Sequence, residues 1–172
     1  MKDILVVVDM QNDFVIGSLG TEEAKAILPK VVSKIENFNG DIYFTRDTHK
    51  EDYLNTQEGK VLPVEHCIEG TEGWNLHPEI GKFAKDNIVD KGTFGSKELA
   101  EKLEKVHRKE CINSITLVGL CTDICVISNA LLLKAFMPEV KIIVEGKACA
   151  GVSPESHERA LESMRTCQVV VK

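Results

Sequence analysis

Three residues of this chain carry side chains suited to nucleophilic chemistry: Asp9, Lys91 and Cys125. Cys125 lies in SITLVGLCTDICVISN (residues 114–129), where the run Ile115, Thr116, Leu117, Val118 stops at Gly119. The pattern predicts a strand, a glycine turn and a helix opening about three residues later, with Thr122 or Asp123 as N-cap. Cys125 then falls in the first helical turn, where backbone N–H groups and the positive end of the helix dipole favour an anionic sulfur. That is the geometry of a nucleophile elbow with Cys in place of Ser; the plainer alternative is a core cysteine in an apolar βα unit. A nearby lysine ammonium lowers a thiol pKa, and a carboxylate such as Asp9 can take the thiol proton and return it, so no histidine is required. Taken singly, Asp9 also reads as a loop-capping residue and Lys91 as an exposed lysine.

A second constellation is Asp47-x-His49 with His66 further along. Asp and His two apart on a loop just after a strand can face one site, and a later histidine can close it. One carboxylate and two imidazoles suit a divalent first-row metal and leave positions for water or substrate. Zn²⁺ fits this set best, with Fe²⁺ and Mn²⁺ as alternatives. Cys121 and Cys125, four apart, also fit a metal pair on one helix face, but Asp47, His49 and His66 form the better set. His77, His107 and His157 have no such partners, and His107, inside the charge run KVHRK, is expected to be solvated.

The elements that must position these residues follow from periodicity. Residues 3–8 (DILVVV) form a continuous apolar run, the mark of a strand buried on both faces of a parallel sheet. Residues 21–38 show helical spacing after Thr21, and DIYFT (41–45) is a second strand. Residues 50–80 lack periodicity and contain five Gly or Pro, which marks a functional irregular region. NIVD (87–90) is a third strand with Lys91 directly after it, and 97–109 is an amphipathic helix with Leu99, Leu103 and Val106 inward. The helix carrying Cys125 stops at Met137-Pro138; VKIIVE (140–145) is a fifth strand, 154–166 a helix and QVVVK a sixth strand. Strands alternating with helices, with no hairpin signal, predict an α/β fold: a doubly wound six-stranded parallel sheet with helices on both faces, in three layers. In such a sheet the carboxyl ends of strands one, three and four share an edge, so Asp9, Lys91 and Cys125 converge.

The chain has 172 residues, suited to a single domain spanning 1–172 with an irregular excursion at about 46–80. Its net charge of −6, without a Lys/Arg block, argues against a nucleic-acid partner. The N-terminal apolar run is too short for a signal peptide or a membrane span, so no membrane partner and a cytoplasmic location are expected. The six cysteines are accordingly expected to be reduced, and no spacing assigns a role to Cys67, Cys111, Cys149 or Cys167.

With these residues assembled, the chain resembles the isochorismatase-like cysteine hydrolases, and within them the nicotinamidases. The resemblance covers essentially the whole chain and rests on DMQNDF (9–14), TRDTH (45–49), PVEHCIEGTEG (63–73), DKGTFGS (90–96) and VGLCTDICV (118–126). It implies a catalytic triad of Asp9, Lys91 and Cys125, a cis peptide between Leu120 and Cys121, and an oxyanion hole from the backbone N–H groups of Cys121 and Cys125. It implies metal ligation by Asp47, His49 and His66, a set that sibling enzymes acting on isochorismate or other amides generally lack. It also implies a substrate pocket with Phe14, Leu120 and Cys121, a small-molecule amide as substrate, and a homo-oligomer. The implied reaction is hydrolysis of nicotinamide to nicotinate and ammonia, with another small amide or carbamoyl compound, or a non-catalytic ligand-binding member, as alternatives. Two features depart from the family pattern: Pro63 stands where nicotinamidases often have Trp, and VIGSLG replaces the usual Pro and paired Gly after the first motif. Trp74 reads either as a pocket residue or as an anchor of its loop.

Overall fold

A computed structural model describes residues 1–172. The strands are β1 (Lys2–Val8), β2 (Asp41–Asp47), β3 (Ile88–Lys91), β4 (Ile112–Leu120), β5 (Lys141–Ala150) and β6 (Val170–Val171). The helices are α1 (Asn12–Val15), α2 (Glu22–Glu36), α3 (Gln57–Val61), α4 (Pro78–Gly81), α5 (Lys97–Glu110), α6 (Ile127–Phe136) and α7 (Pro154–Thr166). All six strands are parallel, in the order β3-β2-β1-β4-β5-β6. The strand order reverses between β1 and β4, and a crevice at the carboxyl ends of the strands opens at such a switch point.

β1 is central, and Ile4 to Val8 are wholly buried. Each such side chain contributes about 1.5–3 kcal/mol of burial. One face of the sheet packs Ile4, Val6, Val8, Ile115 and Leu117 against Leu99 and Leu103 of α5, Leu133 of α6 and Met164 of α7. The other face packs Leu5, Val7, Phe44 and Val118 against Ile27, Val31 and Ile35 of α2 and Ile80 of α4. Side-chain caps start the long helices: Thr21 accepts from the Ala24 N–H, Ser96 from Leu99, and Ser153 forms a capping box with Ser156. No helix is long and apolar enough to cross a membrane.

Several boundaries differ from the sequence reading. β2 runs on to Asp47 and β3 to Lys91, because Asp47 pairs with Lys91 across the ladder and Arg46 forms an ion pair with Asp90 at 2.7 Å. Both chemical residues therefore end strands instead of starting loops. β5 extends to Ala150 by pairing Cys149 with Gly119 and Ala150 with Leu120 after an irregularity in register, whereas β6 keeps only two residues. The region read as irregular holds α3, α4 and a 3₁₀ turn at Tyr53–Asn55. His107 is not merely solvated: its Nδ1 accepts from the Ile112 N–H at 3.0 Å, closing the α5–β4 turn.

Candidate active site

The backbone at the switch point brings β1 and β4 unusually close. Gly119 has φ of +115°, and a Cβ there would collide with the Val8 carbonyl. Only glycine meets both conditions without strain. The peptide between Leu120 and Cys121 is cis, as the resemblance implied. Thr122–Val126 then forms a π-helical turn leading into α6, with Cys121 in extended conformation at its N-cap. Neither Thr122 nor Asp123 is the cap. Thr122 Oγ1 pairs with His157 Nδ1 at 2.8 Å, and Asp123 accepts from the Val152 N–H at 3.1 Å, so α7 and the turn before it brace this segment. The Cys121 carbonyl accepts from Ile124 and Val126, which passes over the intervening N–H of Cys125.

Asp9, with φ of +47°, follows β1 directly. Lys91 Nζ lies 2.7 Å from Asp9 Oδ2, 3.3 Å from Asp47 Oδ1, 3.1 Å from the Thr93 carbonyl and 3.4 Å from Cys125 Sγ. The Asp9–Lys91 contact is an ion pair outside hydrogen-bond alignment, so Oδ2 has no aligned donor, while Oδ1 accepts from Thr45 Oγ1 at 2.7 Å. Cys125 is 5% exposed and Asp9 not at all, so these groups interact with little solvent screening. Burial pushes the Asp9 carboxyl above its ordinary value, with Lys91 opposing. Burial also pushes the Cys125 thiol well up; the Asp9 charge adds to that rise, and Lys91 opposes it. Burial would depress Lys91, but the negative charges of Asp9 and Asp47 outweigh it and hold the ammonium charged. Burial thus works against the thiolate that the Lys91 ammonium favours.

Beside this cluster, Asp47, His49, Glu58 and His66 present donor atoms that all lie within 4.8 Å of one another. Asp47 Oδ2 is 2.9 Å from His49 Nε2 and 3.6 Å from His66 Nε2; Glu58 Oε1 is 3.7 and 3.8 Å from the same nitrogens. His66 Nδ1 bonds the Val64 carbonyl at 2.8 Å, which directs its Nε2 lone pair toward the group. Burial would raise Asp47, but the neighbouring His49 and His66 imidazoles and the Lys91 charge hold it well below the usual carboxylate range. The Tyr53 ring packs on both imidazoles, at 4.7 and 5.0 Å, and Phe14 lies 5.5 Å from His66. The chemistry and convergence of these four side chains fit a divalent cation.

The structure therefore brings together Asp9, Lys91 and Cys125, and next to them Asp47, His49 and His66, with Phe14 at their side. Leu120 is buried against the α2 face of the sheet, and Cys121, its thiol pushed up by burial to about 12, starts the turn. Trp74 anchors its loop: its Nε1–H donates to Thr48 Oγ1 at 2.8 Å and its ring lies 3.6 Å beneath the Arg46 guanidinium. Arg46 alternates with Thr45 and Asp47, so that stack sits on the strand face away from them. All six cysteines are free; Cys67 and Cys149 are buried, and Cys111 and Cys167 exposed. A surface groove of about 620 Å³ between α2 and β5 contains neither Cys nor His among its lining residues.

Sequence reasoning missed Glu58 and Gln11. Glu58 sits in α3, whose only sequence signal is Thr56, which caps it by accepting from the Gly59 N–H. Gln11 is wholly buried; it accepts from the Asp47 N–H at 2.7 Å and donates to the Asp47 and Trp74 carbonyls at 2.8 and 2.9 Å. It thus fastens the end of β2 to the 67–75 loop, and its place in the Asp9 motif was its one visible signal.

The sequence model of the Isochorismatase domain matches residues 3–172. The chain belongs to the isochorismatase family. Among relatives, the nicotinamidase/pyrazinamidase of Mycobacterium tuberculosis is 27% identical, covering 96% of this chain and 95% of the relative. Among solved structures of this fold, pyrazinamidase of Pyrococcus horikoshii in complex with zinc aligns with a TM-score of 0.82 and 28% identity, covering 100% of this chain and 99% of that one. Nicotinamidase/pyrazinamidase PncA from Bacillus subtilis aligns with a TM-score of 0.81 and 32% identity over 99% of each chain. This isochorismatase-family chain therefore shares its six-stranded parallel architecture with those proteins over its full length.

Proposed function

We propose that the protein is a metal-dependent cysteine amidohydrolase that converts nicotinamide to nicotinate and ammonia through a thioester on Cys125. The observation that carries this reading is the joining of two groups at one sheet edge, through the Lys91 contacts to Asp9, Cys125 and Asp47. Similarity to nicotinamidases and pyrazinamidases supports the substrate class.

Asp9 takes the Cys125 thiol proton as the sulfur attacks the amide carbonyl carbon. The oxyanion that forms is received by the N–H groups of Cys121 and Cys125, a kind of interaction worth about 3–4 kcal/mol per donor. The C–N bond then breaks, and the proton on Asp9 passes to the departing nitrogen, releasing ammonia. Asp9 next takes a proton from the water that attacks the thioester, and nicotinate leaves as Cys125 recovers its thiol. Lys91 stays charged throughout and compensates whichever of Asp9 or Cys125 is anionic. Asp47, His49, Glu58 and His66 would hold the divalent cation, Zn²⁺ in the first place. The cation would supply a ligating position for the pyridine nitrogen and so orient the carboxamide. Phe14, near His66, packs on the substrate ring.

The test is to quench the protein in acid during turnover of nicotinamide and map the acyl group by mass spectrometry. A nicotinoyl group on the peptide containing Cys125, absent from a Cys125→Ala variant that no longer releases ammonia, is the expected result. Substantial turnover by Cys125→Ala would sink the mechanism.

A further inference from the structure

The turn bearing Cys125 and the loop after Lys91 are distant in sequence, and one buried amide joins them. Asn129, 1% exposed, accepts from the Ser96 N–H at 2.9 Å. Its Nδ2 donates to the Phe94 carbonyl at 3.1 Å and to the Cys125 carbonyl at 2.8 Å. Both donor hydrogens and one acceptor position of the side chain are thereby used. The same loop receives Lys91, whose Nζ donates to the Thr93 carbonyl at 3.1 Å. Asn is a poor residue for a helix interior, so its presence in α6 needs a compensating role, and the three bonds supply one.

We propose that Asn129 is a positioning residue: by tying the loop at Phe94 and Ser96 to the Cys125 carbonyl, it sets the Lys91 ammonium against the Cys125 sulfur. The inference rests on the reading of Cys125 as nucleophile. Its effect is on alignment of the reacting groups, because Asn129 makes no hydrogen bond to Asp47, His49, Glu58 or His66.

A serine at this position separates local from bridging bonds. Ser128 already shows the local one, its Oγ donating to the Ile124 carbonyl four residues back at 2.6 Å. Asn129→Ser can keep the bond to the Cys125 carbonyl in the same way, while both loop bonds are cut. The experiment is timed alkylation of the full-length protein by iodoacetamide, with each cysteine quantified by mass spectrometry. The exposed Cys111 and Cys167 serve as internal references. In Asn129→Ser the rate at Cys125 relative to those references is expected to fall about tenfold, the factor that follows from losing one pKa unit of thiolate stabilisation. In parallel, kcat on nicotinamide falls about tenfold with KM within about twofold, the signature of misaligned chemistry with binding retained. Asn129→Thr, which keeps the hydroxyl and fills more of the space, carries the same expectation should the serine variant melt early. A folded variant whose Cys125 is alkylated at the wild-type rate or faster overturns the proposal. Failure of the wild-type protein to hydrolyse nicotinamide would refute the functional reading instead, and the alkylation ratio would still decide the role of Asn129.

Discussion

At Asp9, burial and a neighbouring ammonium pull in opposite directions, and their balance decides where the Cys125 proton rests. Burial is the largest influence on the thiol and the Asp9 charge the next; both raise it. Removing that charge in Asp9→Asn therefore lowers the thiol pKa, since only burial and the opposing Lys91 remain dominant. The pH profile of Cys125 alkylation in Asp9→Asn should move to lower pH while amide hydrolysis is lost. A profile that stays put or moves upward would contradict this electrostatic account. Cys125, Asp9 and Lys91 were legible because each follows or ends an apolar strand and together their types imply one chemistry. Glu58, Gln11 and Asn129 were not, because a polar residue in a short helix, a loop or the first turn of a helix has an ordinary explanation. Only tertiary contact gives them another.

Short elements carry more of the site than periodicity reveals. β3 has four residues and α3 five, yet they deliver Lys91 and Glu58. Polar residues at the ends of β2 and β3 hid the true strand ends, since Asp47 and Lys91 pair within the ladder. The π-helical turn was equally hidden, because its wider spacing leaves no mark in apolar periodicity. Its surroundings are read from Gly119 alone, where a side chain would meet the Val8 carbonyl and the backbone is left-handed. Gly119→Ala is predicted to cost about 3 kcal/mol, from φ strain together with overpacking between β1 and β4. Urea unfolding would check this, with a loss under about 1 kcal/mol counting against the close approach that shapes the turn. Long elements with uniform faces, such as β1 and α5, needed no tertiary information because their burial follows directly from period.

Across the whole molecule, the strand order places the crevice between β1 and β4, and the candidate groups gather on its carboxyl edge from β1, β2, β3 and the turn after β4. That topology was legible from the alternation of strands and helices. The reach of the 46–80 region back over the edge was legible only as a lack of periodicity. There it folds into short helices around Tyr53, which packs on His49 and His66. Turnover is predicted to require both a thiol nucleophile and a cation that orients the amide. The most direct test is ammonia release from nicotinamide by the purified protein before chelation, after chelation, and after add-back of Zn²⁺, Fe²⁺ or Mn²⁺. Release that is lost on chelation and restored by metal is the predicted result. No release from metal-loaded protein whose Cys125 still reacts with iodoacetamide would contradict nicotinamide as the substrate.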